Sequence, residues 1–171
     1  MKFQIKDSEF TFKTFDPKET EKVGEILGSQ LLPGDVVALI GELGTGKTCF
    51  TRGLAFGLGI DRNVPIVSPS FTIINEYPGA VPLYHFDFYR LNNLSEVLDL
   101  GYEEYFFGKG VTVIEWGEKV ESILPEEHLK VKFYFQDDNV REIKIKGYGK
   151  LFNQRIRESW ELLFRSLVAH Q

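Results

Sequence analysis

The sequence predicts an α/β fold, a mixed sheet flanked by helices in three layers, and three observations carry that prediction. Val36-Val37-Ala38-Leu39-Ile40 is an uninterrupted apolar run, as a strand buried on both faces requires. Runs of β-type residues alternate with helical periodicities along most of the chain. Fifteen Phe, seven Tyr and two Trp in 171 residues supply the apolar mass of a real core. That length suits one domain, and no internal repeat, low-complexity tract or Pro/Ser-rich linker divides it. Residues 1–171 are therefore expected to fold as a single domain, with a C-terminal helix (about 150–169) as an appendage.

The elements follow in order. Phe10 to Phe15 alternates as a short strand does. Asp16-Pro17-Lys18-Glu19 starts a helix: Asp16 caps, Pro17 takes the first helical position, and Glu19 completes a capping-box spacing. Val23, Ile26, Leu27 and Leu31 form its apolar stripe, which Pro33-Gly34-Asp35 stops. After the buried strand come a glycine-rich turn and a helix from about Lys47 to Leu58, with Phe50, Leu54, Ala55 and Leu58 inward. Further β-like runs are Phe71–Tyr77, Leu83–Tyr89, Val111–Trp116, Leu129–Phe135 and Glu142–Lys146. Asp137-Asp138-Asn139 joins the last two as a hairpin turn. From Leu151 to Val168 the spacing of Phe152, Ile156, Trp160, Leu163 and Leu167 predicts an amphipathic helix.

Composition excludes several classes. The longest apolar run falls well short of the ~18 residues of a membrane helix. The start of the chain, Met1-Lys2-Phe3-Gln4-Ile5-Lys6-Asp7, has no apolar segment, so no signal peptide is expected. The single cysteine, Cys49, cannot make an internal disulfide, and a reducing cytoplasmic setting is expected. Net charge is −5, but residues 141–171 carry +4 and the first 140 carry −9. Lys150, Arg155, Arg157 and Arg165 are expected to face outward from the tail helix, as an ordinary solvated face or as a docking face for something acidic.

Gly41-Glu42-Leu43-Gly44-Thr45-Gly46-Lys47-Thr48 matches G-x-x-x-x-G-K-[ST] in full, after a strand and before a helix as the mechanism demands. Gly44 and Gly46 let backbone N–H groups wrap a phosphate, and the helix N-terminus adds a positive dipole. Lys47, expected to face solvent when no phosphate is present, would reach the β- and γ-phosphates. The Thr48 hydroxyl would bind Mg²⁺. The fold expected is thus P-loop NTPase-like. Cys49, next in line, reads as a small filler rather than an activated thiol.

A P-loop enzyme also needs a carboxylate at the end of a neighbouring strand, and two compete: Glu115 after Val111-Thr112-Val113-Ile114, and Asp87 in Leu83-Tyr84-His85-Phe86-Asp87. Between the glycine turn and these acids, Ser68-Pro69-Ser70-Phe71-Thr72 has the hydroxyls of a γ-phosphate-sensing loop. No Asn-Lys-x-Asp appears, which favours ATP over GTP. Arg90 is the only arginine between Arg62 and Arg141, too few for the arginine clamp of an adenylate-kinase-like phosphotransferase. For the adenine, Arg141 and the turn Phe15-Asp16-Pro17-Lys18 are the available walls.

The ordered set GELGTGKT (41–48), SPSF (68–71), HFDFYRL (85–91) and EW (115–116) resembles the TsaE family, formerly YjeE, over about residues 10–148. These are small bacterial P-loop ATPases required for threonylcarbamoylation of adenosine 37 in tRNAs that read ANN codons. The resemblance implies that Thr48 and Glu115 are Mg²⁺ ligands and Lys47 the phosphate clamp. It implies that Asp87 is a second essential acid near the γ-phosphate or its water. Trp116 would sit beside the nucleotide, and Ser68–Phe71, including Ser70, would be the switch loop. Ser70 stands where the family usually has threonine, and the basic tail after about Gly147 varies in the family. The resemblance further implies a weak Mg²⁺-dependent ATPase that docks on the TsaB–TsaD complex and resets it between turnovers. A tRNA contact through the tail would be an addition to that role. A small-molecule kinase and a nucleotide-binding adaptor without turnover are the rival readings.

Overall fold

The computed structural model describes residues 1–150, 153–155, 157, 160, 161 and 165. One eight-stranded sheet runs through it, with β1 (Lys2–Lys6), β2 (Glu9–Thr14), β3 (Val36–Ile40), β4 (Ile74–Tyr77), β5 (Leu83–Asp87), β6 (Val111–Glu115), β7 (His128–Asp137) and β8 (Val140–Tyr148) in the spatial order β1-β2-β8-β7-β3-β6-β5-β4. β7, β3, β6 and β5 are mutually parallel; the strands beyond them at either edge join antiparallel. Helices α1 (Pro17–Gly28) and α2 (Lys47–Gly57) cover one face, meeting Val37, Leu39, Val113, Val131 and Ile145 in the larger core. The short helices α3 (Leu94–Leu98) and α4 (Tyr102–Phe106) and a 3-10 helix (Gly117–Ile123) cover the other face around Val36, Phe86 and Ile114. Among the described residues this second layer reaches past β3 only where Glu121 of the 3-10 helix meets Lys130 of β7. Beyond it the outer face of β7, β8, β2 and β1 carries polar side chains.

The helix start at Asp16 forms as its residues dictate: Asp16 Oδ1 accepts from the Glu19 N–H at 2.9 Å, and Pro17 is the first helical residue. Glu19 reaches one residue past the cap, accepting from the Phe15 N–H at 2.8 Å rather than from Asp16. Close packing of α1 on α2 rests on glycine. A Cβ on Gly24 would lie 2.3 Å from the Phe50 carbonyl oxygen, and one on Gly53 would lie 2.0 Å from that of Glu21. Nothing larger fits there, so the two backbones touch. The contact brings Pro17 beside the start of α2, where its carbonyl accepts from Cys49 Sγ at 3.2 Å.

Three expectations change. β1 was not expected: its alternation of exposed and half-buried residues is short and mixed, and pairing with β2 supplies what its own pattern lacks. The run expected over Phe71–Tyr77 enters the sheet only at Ile74, because Pro69 to Ile73 closes a turn through an Ile73 N–H···O=C Pro69 bond of 2.8 Å. Arg155, expected outward, instead reaches Asp35 at 2.6 Å, while Arg157 and Arg165 do face solvent. Burial pushes the Asp35 carboxyl up, and the Leu32 N–H and Arg155 pull it back. Of the apolar stripe expected along the tail, Trp160 is buried edge-on against Phe10. Phe152, Ile156, Leu163 and Leu167 lie outside the described residues.

Candidate functional site

The parallel strands carry the chemistry at their C-terminal ends, where a sheet of this kind binds ligands. β3 runs into the glycine turn. In register beside it, Glu115 ends β6 opposite Leu39, and Asp87 ends β5 opposite Glu115. The two acids that compete in sequence are thus neighbours on adjacent strands. The turn itself is held open by left-handed backbone at Gly44 (φ 79°) and Gly46 (φ 103°), conformations a side chain would strain. The Thr45 hydroxyl, buried behind the turn, fastens it by donating to the Glu42 carbonyl at 2.7 Å.

Lys47 does not face solvent. Its side chain is 4% exposed, and its ammonium donates to the carbonyls of Gly41 (2.6 Å) and Glu42 (2.8 Å) beneath the indole of Trp116, 4.5 Å from the ring centroid. A buried ammonium needs acceptors, and the carbonyls and the negative face of the ring supply them. Burial pushes the Lys47 ammonium down from its ordinary value, and Glu115, Glu118 and Asp87 offset part of that. Trp116 reaches this position through a left-handed backbone (φ 61°) just past β6, and it also packs on Tyr89, centroids 5.1 Å apart.

Glu115 Oε1 accepts from the Thr48 hydroxyl at 2.9 Å and faces His85 Nε2 at 3.0 Å. His85 is fully buried and its Nδ1 has no partner among the described residues. Asp87 is bound on both oxygens: Oδ1 accepts from the Tyr89 N–H at 2.9 Å, and Oδ2 accepts a short bond from the Ser68 hydroxyl. Asp87 is therefore tied directly to the Ser68–Thr72 loop. That loop ends at Ile73, a β-branched residue at φ 68°, whose carbonyl accepts from the Asp87 N–H at 2.9 Å. Such a backbone costs about 1–3 kcal/mol and persists only where its surroundings hold it.

These groups line one cleft of about 440 Å³, a size ordinary for a small-molecule site. Leu43, Gly44, Gly46, Lys47, Thr48 and Cys49 form one wall; Ser68, Ser70, Asp87, Glu115 and Trp116 form the other. Burial pushes the Cys49 thiol up despite the neighbouring Arg52, so it is not an activated nucleophile. Tyr89 and Arg90 also line the cleft, and nothing in their spacing marks them for it. Arg90 stacks over Phe71, 4.2 Å from the ring centroid, and Phe71 is 83% exposed. Glu42, Thr45 and Arg141 lie outside the cleft lining. Arg141 stacks on Phe135 at 4.3 Å and donates to the carbonyls of Asp137, Asp138 and Val140. Phe135 in turn overhangs the glycine turn, its Cζ 3.9 Å from where a Gly44 Cβ would stand.

A buried parallel strand leading into a glycine turn and helix, with acids ending the adjoining strands, defines the P-loop class of nucleotide-binding folds. Residues 14–143 match the family described as threonylcarbamoyl adenosine biosynthesis protein TsaE. The TsaE of Bacillus subtilis is 44% identical over 148 residues, covering 86% of this chain and 91% of its own length. That of Treponema pallidum is 45% identical over 128 residues, covering 75% and 93%. A crystal structure of YdiB from Bacillus subtilis superposes with a TM-score of 0.75 at 36% identity, covering 92% of this chain and 95% of its own. The chain belongs to the TsaE family, and its role lies in tRNA threonylcarbamoyladenosine biosynthesis.

Proposed function

We propose that the cleft binds ATP with Mg²⁺ and hydrolyses it slowly, and that the nucleotide state acts as a switch on the TsaB–TsaD complex in the cytoplasm. The observation that carries this reading is the shared bond at the cleft floor, where Thr48 and Glu115 meet 2.9 Å apart between the glycine turn and Asp87. The donor set is a hydroxyl and carboxylates, hard oxygen ligands of the kind Mg²⁺ takes alongside phosphate oxygens. Thr48 and Glu115 would hold the ion, which when bound neutralises charge on the β- and γ-phosphates.

The chain's own residues do the rest. Lys47 leaves the Gly41 and Glu42 carbonyls for the β- and γ-phosphates, a stronger charge-assisted partner. Backbone N–H groups at the start of α2 cradle the phosphates. Asp87 orients the attacking water, and because it also holds Ser68, a change at the γ-phosphate is passed to the Ser68–Thr72 loop, Ser70 included. Phe71 on that loop is exposed for a partner to read. At the adenine end, Arg141 over Phe135 supplies a stacking platform beside Gly44.

Single-turnover hydrolysis of radiolabelled ATP by the purified protein tests the reading, with Lys47→Ala and Asp87→Asn alongside. Phosphate release that needs Mg²⁺ and vanishes in both variants supports it. Tight binding without any release leaves an adaptor instead, and release stimulated by a small-molecule acceptor leaves a kinase.

A further inference from the structure

The sheet has one face that helices leave largely open among the described residues, the outer side of β7, β8, β2 and β1; only the 3-10 helix reaches it, where its Glu121 covers Lys130. Register puts the same charge opposite itself there. Lys130 pairs with Lys146, Lys132 with Lys144, and Lys2 with Lys13. Like charges directly opposite on a sheet destabilise it, and the carboxylates in register on this face, Glu9 opposite Lys146 and Glu142 opposite Lys13, are fewer than the lysines.

Three glutamates answer these six lysines only in part. Glu121 binds Lys130, and Glu9 and Glu142 stand 3.8 and 3.6 Å from Lys144. Among the described residues Lys2, Lys13, Lys132 and Lys146 make no ion pair. The surplus is positive on a chain whose net charge is −5. Successive lysines along β7 and β8 stand about 7 Å apart, a step of the same order as one nucleotide of extended backbone. Two tyrosines interleave with them. Tyr148 lies under Lys130 and Lys146 at 4.8 and 5.6 Å, already stacked on His128. Tyr134, 42% exposed, has Lys144 at 5.8 Å.

We propose that this open lysine face binds an RNA strand, its lysines on the phosphates and Tyr134 stacked on a base. Flat sheets that pair basic side chains with exposed aromatic rings hold single-stranded RNA in this way. An acidic protein surface would be answered by the lysines but gives no role to an exposed ring among them. The family's pathway modifies tRNA, so the anion of this class is present where the protein acts. Lys132 stands in register with Ile40, the residue before the glycine turn, so the strand would run up to the nucleotide end of the sheet.

The test is fluorescence anisotropy of the full chain with a labelled, unmodified tRNA transcript, without nucleotide, across a KCl series. The double variant Lys132→Glu/Lys146→Glu is expected to weaken binding at least tenfold and to lower the slope of log K against log salt by about 1.5, at ~0.7–0.9 per phosphate contact. Tyr134→Ala is expected to weaken binding about tenfold with the slope unchanged. Lys22→Glu/Lys109→Glu, on other faces, and Lys47→Ala, in the nucleotide cleft, are expected to bind like wild type, which separates this face from the ATP reading. Thermal melts check that each variant folds. Wild-type affinity and slope in the charge-reversed protein would overturn the proposal. So would displacement of the transcript by poly-glutamate as readily as by unlabelled tRNA at equal charge, which would assign the face to an acidic protein.

Discussion

Glu115 Oε1 accepts from the Thr48 hydroxyl at 2.9 Å across 67 residues of sequence, joining the last residue of one parallel strand to the first turn of the helix after the glycine loop. The same oxygen faces His85, and the next carboxylate along the strand ends, Asp87, binds a different partner, Ser68. The two acids therefore have separate partners, and the proposed roles separate with them.

That separation gives the first prediction. Glu115→Gln keeps the shape but removes the charge beside Thr48, so ATP affinity in Mg²⁺ is expected to fall about tenfold or more, while affinity in EDTA changes little. Asp87→Asn is expected to leave affinity within about threefold and to cut turnover by about 10²-fold, the range typical of a group that orients or deprotonates the nucleophile. Isothermal titration and single-turnover hydrolysis read the two effects. Equal, small losses in both variants would sink the division of roles.

Lys47 and Trp116 give the second. The ammonium now sits 4.5 Å from the indole centroid, and phosphate should draw it away. Trp116 emission is therefore expected to change on adding ATP, measured in a Trp160→Phe background that removes the other indole. Lys47→Ala should abolish most of that change and lower affinity about 10–100-fold, the worth of a hydrogen bond to a charged group at ~1.5–3 kcal/mol. An unaltered spectrum at saturating nucleotide would detach Trp116 from the phosphate site.

His128 gives a third, in pH. Burial pushes its imidazole below the ordinary histidine value, although Nδ1 donates to the Pro125 carbonyl at 2.6 Å. The unfolded chain therefore binds this proton more readily than the folded one. Stability from this residue is complete above the unfolded value near 6.5 and is lost as pH falls through the window below it. His128→Gln, which can keep a donor toward Pro125, is expected to flatten the fall in melting temperature between pH 7 and pH 5. Parallel curves for the two proteins would show that other groups set the acid limb.

Much of this was legible in the sequence, and the reasons differ by residue. The glycine turn was legible because phosphate binding demands glycines, lysine and threonine at fixed spacing between a strand and a helix. Asp16 and Pro17 announced α1 because capping chemistry is local. The buried state of Lys47 was not legible, since it depends on carbonyls and a ring brought together by folding. The choice between Asp87 and Glu115 could not be made from spacing either, because both end strands that lie side by side. β1 and the lysine pairs depend on register between distant segments, which no single segment encodes. The glycines at the α1–α2 crossing carry no local signal of their contact, because an isolated helical glycine marks only a weak helix former.

Those glycines support the last prediction. Gly24 and Gly28 on α1 face Gly53 and Gly57 on α2, and each position would drive a Cβ to 2.0–2.3 Å from a backbone oxygen of the opposing helix. Backbone cannot yield as a side-chain tip can, so the helices would have to separate. The separation would reach the site, because α1 holds Pro17 against Cys49 and Thr20 beside Gly46. Gly53→Ala is thus expected to destabilise the fold by about 1–3 kcal/mol, the usual cost of overpacking a core. It should also weaken ATP binding severalfold, although residue 53 lies outside the cleft lining. Gly59→Ala serves as the contrast: it carries backbone strain at φ 86° but has open space around it. It should therefore cost stability and leave ATP affinity unchanged. Differential scanning calorimetry and nucleotide titration of both variants decide it. If Gly53→Ala and Gly59→Ala lose stability alike and neither changes affinity, the helix crossing does not position the nucleotide cleft.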